Sequence, residues 1–186
     1  AGLLGVGGGL VIVPGLLWVF RANGFDEAVV AHLAVGTSLA TIVATSLSSI
    51  RAHHRRGAVL WPIGGRLAPG IVVGAWLGAA IADRLATAWL QRVVGVFALG
   101  GAVQMLLGER AEARRGLPGS AGLAAVGAGI GTLSGLVGIG GGSMTVPFLT
   151  WCSVDIRRAV ATSAACGFPI ALAGAIGFTL VGWHET

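Results

Sequence analysis

Two glycine-rich runs, each closed by a proline, are the residues in this sequence whose types and spacing best suit chemistry. One run, Gly2–Leu17, reads GLLGVGGGLVIVPGLL, and the other, Gly135–Thr150, reads GLVGIGGGSMTVPFLT. Three consecutive glycines interrupt a helix, because each costs up to about 1 kcal/mol relative to Ala. The interruption leaves amide hydrogens unpaired, and such hydrogens at a helix N-terminus bind anions. The two runs therefore predict a paired anion-binding site.

The runs belong to an internal duplication that continues beyond them. Residues 2–18 and 135–151 are identical at ten of 17 positions. Each copy then reaches a Thr-Ser pair, within Ala34–Ser38 and Ala159–Ser163. An ordered series of matches at a fixed offset indicates a repeated structural unit. The substrate-binding residues that we predict are Gly7, Gly8, Gly9, Pro14, Thr37 and Ser38, with Gly140, Gly141, Gly142, Pro147, Thr162 and Ser163.

A simpler interpretation of the same residues stays open. Glycines also let membrane helices approach one another closely without any ligand. Ser and Thr hydroxyls often bond back to the preceding turn of their own helix. A proline removes one donor and frees an upstream carbonyl, so the two prolines favour a break over mere packing.

The elements that must position these residues are transmembrane helices. The chain has 186 residues, of which 55% are hydrophobic and only 10% are charged, whereas a soluble domain averages about 25% charged residues. Mean hydropathy is +0.87. A span needs roughly 20 apolar residues. The sequence predicts six spans, at 1–20, 28–50, about 62–82, about 88–108, about 119–150 and 159–182.

The predicted fold is an all-α, polytopic membrane protein with two similar halves, each with a glycine-broken helix. Runs without alternation of polar and apolar residues argue against barrel strands. The halves are 1–118, which we expect to be truncated at its N-terminus, and 119–186, which we expect to be truncated at its C-terminus. Four spans separate the two starts, and an even number favours parallel halves unless one segment is re-entrant.

Charge and sequence motifs exclude several other classes. All 12 basic residues are Arg, and they are spread over short loops, which favours anchoring to anionic lipid over nucleic-acid binding. We predict no enzyme, cofactor or metal site. Gly5–Gly9 lacks the third glycine of a dinucleotide motif, since residue 10 is Leu. Ser134 with His184 lacks the Gly-x-Ser-Gly motif of intramembrane serine proteases. His32, inside the second span, is a candidate proton relay because ionisable groups in membranes are costly.

The duplicated motif resembles the sulfite exporter TauE/SafE family. The resemblance is carried by Gly135–Gly142 with Pro147, by its copy ending at Pro14, and by the Thr-Ser pair that follows each copy. It implies a bacterial inner-membrane permease of seven or eight helices that handles small sulfur oxyanions such as sulfite and organosulfonates. The residues that match the family's motif by position are the twelve named above, together with Gly5 and Gly138.

From these observations we expect a multi-pass inner-membrane permease that moves a small anionic solute by alternating access. Its partners are the lipid bilayer and that solute, with no nucleic acid, and self-association stays open. The alternatives are a permease for an unrelated solute and a membrane subunit that transports nothing.

Overall fold

The chain forms seven α-helices in a computed structural model that describes residues 9–27, 29–107 and 116–182. All regular structure in these ranges is helical. In chain order the helices are α1 Gly9–Ala22, α2 Val30–Arg55, α3 Trp61–Asp83, α4 Thr87–Leu107, α5 Ser120–Val137, α6 Gly142–Trp151 and α7 Ile156–Gly182. The expected all-helical class is confirmed.

Four helices are long and apolar enough to cross a membrane. They are Val30–Arg55, Trp61–Asp83, Ser120–Val137 and Ile156–Leu180. Two shorter apolar stretches, Val11–Ala22 and Thr87–Val103, lie in α1 and α4. The protein is therefore a multi-pass membrane protein, while the count of six spans stays a prediction.

Large apolar side chains on the outside of the bundle fit lipid as the solvent. Trp18 on α1 is 74% exposed, and Val96 on α4 is 71% exposed. Inside, Leu39 of α2, Leu90 of α4 and Val137 of α5 belong to one buried cluster. Because lipid is as apolar as leucine, van der Waals packing and hydrogen bonds, rather than hydrophobic burial, hold such helices together.

One face of the bundle, which we call the first face, carries the connection 23–29. The start of α2 and the end of α3 meet there, because His32 Nε2 lies 3.0 Å from the carbonyl oxygen of Ala82. Arg21 near the end of α1 donates a 3.0 Å hydrogen bond to Gln91 Oε1, near the start of α4. Helix α1 therefore ends at the first face, and α4 begins there.

The opposite side, the second face, carries the connection 56–60. The Leu60 amide donates a 3.0 Å hydrogen bond to Thr162 Oγ1, early in α7, so α7 begins at this face. It runs antiparallel to α2, since Phe178 near its end packs against Gly36 near the start of α2. Together α2, α3 and α7 cross the full bundle.

Helices α3 and α5 run parallel in backbone contact. Three glycines of α3, spaced one helical turn apart, each lie against a residue of α5. The pairs are Gly70–Ala124, Gly74–Ala128 and Gly78–Thr132, which advance in the same direction along both helices. A Cβ atom on Gly74 would overlap the carbonyl oxygen of Ala128. Small residues permit this approach, which brings many weak contacts into range. Helix α5 therefore follows α3 from the second face toward the first.

The chain then turns back inside the bundle. After Val137 the residues 138–141 leave the helix, and α6 returns toward the second face. Leu149, near the end of α6, shares a cluster with Ile63, three residues into α3 at the second face. The single span expected over 119–150 is thus two helices, α5 and α6, that form a re-entrant hairpin.

The re-entrant turn gives α6 a direction opposite to that of α1, its counterpart in the first copy. Helix α1 starts at Gly9 and ends near the first face, whereas α6 starts at Gly142 and ends near the second face. These contacts differ from the parallel arrangement that four intervening spans favoured. The reason is that α5 and α6 together return the chain to the face from which α5 started.

Candidate functional site

The second glycine run is a true break in helical structure. Helix α5 is capped by Gly138 at φ 74°, and α6 is preceded by Gly141 at φ 70°. Both residues adopt the left-handed conformation, which costs a residue with a Cβ atom roughly 1–2 kcal/mol. The Ser134 carbonyl accepts the Gly138 amide and, at 3.0 Å, the Ile139 amide. These bonds end α5 with the closure that left-handed glycines commonly provide.

The break lies at the middle of the bundle. A Cβ atom on Gly140 would come within 3.0 Å of Ile42, which is halfway along α2. On the other side, Gly141 faces Ile170, which is halfway along α7. Interrupted main chain at this depth survives only where protein or a wet cavity satisfies it.

The described part of the first run touches the second run. Gly9, the first residue of α1, is buried, and its Cα faces the Gly138 carbonyl and Ile139. A Cβ atom on Gly9 would lie 2.9 Å from the Ile139 Cα. Gly7 and Gly8 lie outside the described residues. The two repeats thus meet through Gly9 and the residues Gly138 and Ile139.

Helix α6 presents a set of hydrogen-bond donors at the break. Its first hydrogen bonds run to the Gly141 carbonyl from the Met144 amide, at 3.2 Å, and from the Thr145 amide, at 2.8 Å. The amides of Gly142 and Ser143 precede these two amides, and they have no acceptor within the helix. The N-terminus of a helix also carries about half a positive charge. The break is therefore positively polarised without a cationic side chain.

Three buried hydroxyls close to the break have no hydrogen-bond partner. They are Ser134 Oγ, Ser143 Oγ and Thr145 Oγ1. Ser134 is 1% exposed and Thr145 is 0% exposed. The Thr145 hydroxyl lies 3.6 Å from the position that a Cβ atom on Gly141 would take, so it points at the break. Because an unpaired buried hydroxyl costs about 1–3 kcal/mol, these three hydroxyls are candidates for hydrogen bonds to a polar ligand or to water.

The Thr-Ser pairs predicted from the sequence have other positions. Ser38 donates a 2.8 Å hydrogen bond to the Gly138 carbonyl, and so holds the break itself. Thr37, beside it, is exposed. Thr162 accepts the amide of Leu60 at the start of α3.

The remaining predicted residues also lie in helices. Ser163 is buried and bonds back to the Val160 carbonyl at 2.9 Å. Pro14 is exposed within α1, and Pro147 is half-buried within α6. Among all the predicted residues, Ser38, Gly9 and Gly140–Gly142 lie at the break, whereas Thr37 and Pro14 face outward.

Sequence comparison of the two copies did not single out the three free hydroxyls. Under the alignment of the repeats, Ser143 corresponds to Leu10 and Thr145 to Ile12. A search for shared residues discards such positions. The useful signal was the difference between the copies, because a hydroxyl that replaces an aliphatic side chain beside a helix break marks the polar side of that break.

Charged side chains stay away from the break. Every Asp, Glu and Arg in the described ranges is exposed. The described residues contain no group of three or more His, Cys, Asp or Glu that could hold a metal. The break can therefore offer neutral donors and a helix dipole to a solute, and no countercharge.

A helical bundle that spans the membrane several times and contains a broken helix at its centre is an architecture typical of membrane transporters. The sequence model of the sulfite exporter TauE/SafE family matches residues 1–185. The chain therefore belongs to the sulfite exporter TauE/SafE family, whose members include membrane transporters.

Relatives from distant microbes share most of this chain. A protein of Haemophilus influenzae named "Probable membrane transporter protein" is 34% identical over 186 residues, which cover 98% of this chain and 70% of the relative. "Probable membrane transporter protein YunE" of Bacillus subtilis is 28% identical, over 97% of this chain and 73% of the relative. A similarly named protein of Methanocaldococcus jannaschii is 28% identical, over 87% of this chain and 60% of the relative. No solved structure matches this chain.

Proposed function

We propose that this protein is a permease that carries small anions, namely sulfur oxyanions or organosulfonates, across the bacterial inner membrane. The solute binds at the break between α5 and α6, and alternating access exposes the break to one face and then to the other. The observation that carries the proposal is the group of unpartnered hydroxyls beside free helix-terminal amides. The family's name supports the choice of solute class.

The chemistry of binding follows from the donors at the break. The amides of Gly142 and Ser143 point out of the N-terminus of α6, where the helix dipole stabilises a negative charge. The hydroxyls of Ser143, Thr145 and Ser134 add donors that need no proton transfer. Hydrogen bonds to a charged partner are worth about 1.5–3 kcal/mol each, so a few of them offset much of the cost of removing a small anion from water.

The directions of α1 and α6 support alternating access. Gly9 of α1 lies against Gly138, just before α6, and from there the two helices lead to opposite faces. A tilt of either helix would open the break toward its own face. Because Gly9 contacts the backbone of Gly138 and Ile139, movement of α1 constrains the break and α6.

Flux in proteoliposomes tests the assignment. In Thr145→Val the shape is kept and the hydroxyl is lost, so we expect anion affinity to fall about tenfold to hundredfold. The matched control is Thr150→Val on the same helix, because Thr150 Oγ1 already donates to the carbonyls of Val146 and Pro147. The control should transport like the wild type.

Two other results would redirect the assignment. If both variants transport normally, the hydroxyl at the break does not touch the solute. If the wild type moves neutral polar solutes and no anion, the donors at the break serve a permease of another class.

A further inference from the structure

We propose that the break accepts only singly charged anions, so that an oxyanion with two ionisations enters as its protonated monoanion and not as its dianion. This inference rests on the proposed function and concerns the charge state of the same solute. It follows from what surrounds the break.

Every group that contacts the break is electrically neutral. The donors are the amides and hydroxyls at the start of α6, and the walls are apolar. Ile42 and Ile170 face Gly140 and Gly141, and Val13 and Val35 lie at 3.0–3.1 Å from the Cβ position of Gly138. Helices α5 and α6 carry no ionisable side chain at all.

A neutral site discriminates strongly by charge. The Born cost of removing an ion from water grows with the square of its charge, so a dianion costs about four times as much as a monoanion of the same size. The attraction of the α6 dipole grows only in proportion to charge. No buried Arg is present at the break to offset the difference between the desolvation cost and the attraction of the dipole. The second negative charge therefore makes binding less favourable.

Hydroxyls suit the protonated form for a second reason. Ser134, Ser143 and Thr145 can accept a hydrogen bond as well as donate one. A protonated oxyanion carries one O–H group, which needs an acceptor. A site made of Arg or Lys donors would leave that group unpaired.

On the other helices around the break, the ionisable residues nearest to it are His32 and Cys166. On α2, His32 lies one turn before Val35, and its Nε2 bonds to Ala82. On α7, Cys166 is buried beside Gly167, which approaches the Gly140 carbonyl. The others lie toward the helix ends: Arg21 on α1, Arg51, His53, His54 and Arg55 on α2, Arg66 and Asp83 on α3, Arg92 on α4, and Arg157 and Arg158 on α7.

Three anions test the charge rule in proteoliposomes, with protein-free liposomes subtracted. Methanesulfonate is a monoanion at every pH used, sulfate is a dianion, and sulfite changes between the two forms near neutral pH. Between one pH unit below and one pH unit above the pKa for this second ionisation of sulfite, the fraction present as the monoanion falls about tenfold. At subsaturating sulfite we expect flux to fall by that factor, methanesulfonate flux to stay constant, and sulfate flux to remain at background.

The methanesulfonate arm separates the solute's titration from the protein's. If His32 or another group of the protein caused the pH dependence, methanesulfonate flux would change in the same way, which would overturn the inference. His32→Gln should leave the sulfite profile unchanged.

Other outcomes distinguish a failure of the charge rule from a failure of the proposed anion permease. Sulfate flux comparable to methanesulfonate flux, or sulfite flux that holds steady or rises with pH, would overturn the charge rule and leave the anion permease standing. No flux of any of the three anions would overturn both.

Discussion

The hydrogen bond from Ser38 Oγ to the Gly138 carbonyl gives the sharpest stability prediction. The bond is 2.8 Å long and buried, and it joins α2 to the end of α5. In Ser38→Ala the carbonyl loses this donor in an apolar environment beside Val13 and Val35. An orphaned buried acceptor costs about 1–3 kcal/mol, and we expect the free energy of unfolding to fall by that amount.

The matched control is Ser46→Ala on the same helix. Ser46 is also buried, but its hydroxyl donates to the carbonyl of Val43 in its own helix. That carbonyl keeps its helical bonding when the hydroxyl is removed. Ala also has the higher helix propensity by up to about 0.5 kcal/mol, so the control should lie within about 0.5 kcal/mol of the wild type.

The assay is equilibrium unfolding in mixed micelles, followed by tryptophan fluorescence, with the protein and its variants compared at one detergent composition. Hydrogen exchange adds a local readout, because the Ile139 amide next to the break should exchange faster in Ser38→Ala. If Ser38→Ala and Ser46→Ala lose the same stability and exchange alike, the hydroxyl does not hold the break, and the reasoning fails.

Three further changes probe other parts of the fold. Gly74→Ala should destabilise the α3–α5 pair by about 1–3 kcal/mol through overpacking, whereas Gly95→Ala, which has open space around it, should be neutral or stabilising in the same unfolding assay. Gly141→Ala should be destabilising because of backbone strain at φ 70° and because the new Cβ atom would overlap Ile170. Adding Ile170→Ala should relieve the overlap and leave the strain. A double variant that loses as much stability as the two single variants together would contradict this. Glu27→Gln removes an exposed ion pair and should cost less than about 1 kcal/mol at low salt, with the difference gone at high salt.

Much of the architecture could be predicted from composition and from glycine placement. Long uncharged runs predict helices, and the observed α2, α3 and α7 begin and end within about five residues of the expected spans. The triple glycine and Pro147 predict an interruption, and the helix is interrupted at 138–141. Helix α6 begins on the last glycine of its triple, Gly142.

The direction of the chain after the break could not be read from the sequence. Hydropathy reports whether a segment prefers lipid and carries no sign of direction, so 119–150 looks like one long span. The turn depends on two left-handed glycines and on the cluster that Leu149 of α6 shares with Ile63 near the start of α3. Such tertiary contacts are absent from a local pattern.

The roles of the hydroxyls also depended on tertiary structure. The matched pairs Thr37-Ser38 and Thr162-Ser163 are equivalent in sequence, yet their neighbours differ, so one threonine is exposed and the other accepts the amide of Leu60. A shared sequence position does not guarantee a shared partner. The lack of a partner for Thr145 Oγ1 is likewise a property of the three-dimensional packing and leaves no mark in the sequence.

A direct contact between a bound anion and the amides of the break tests the central claim. Solid-state NMR on protein labelled with 15N in glycine and serine, with 13C-methanesulfonate in the bilayer sample, measures that contact. We expect dipolar transfer between the label and the amides of Gly142 and Ser143, weakened in Thr145→Val and retained in Thr150→Val. Transport with transfer only to residues elsewhere in the bundle would contradict the account.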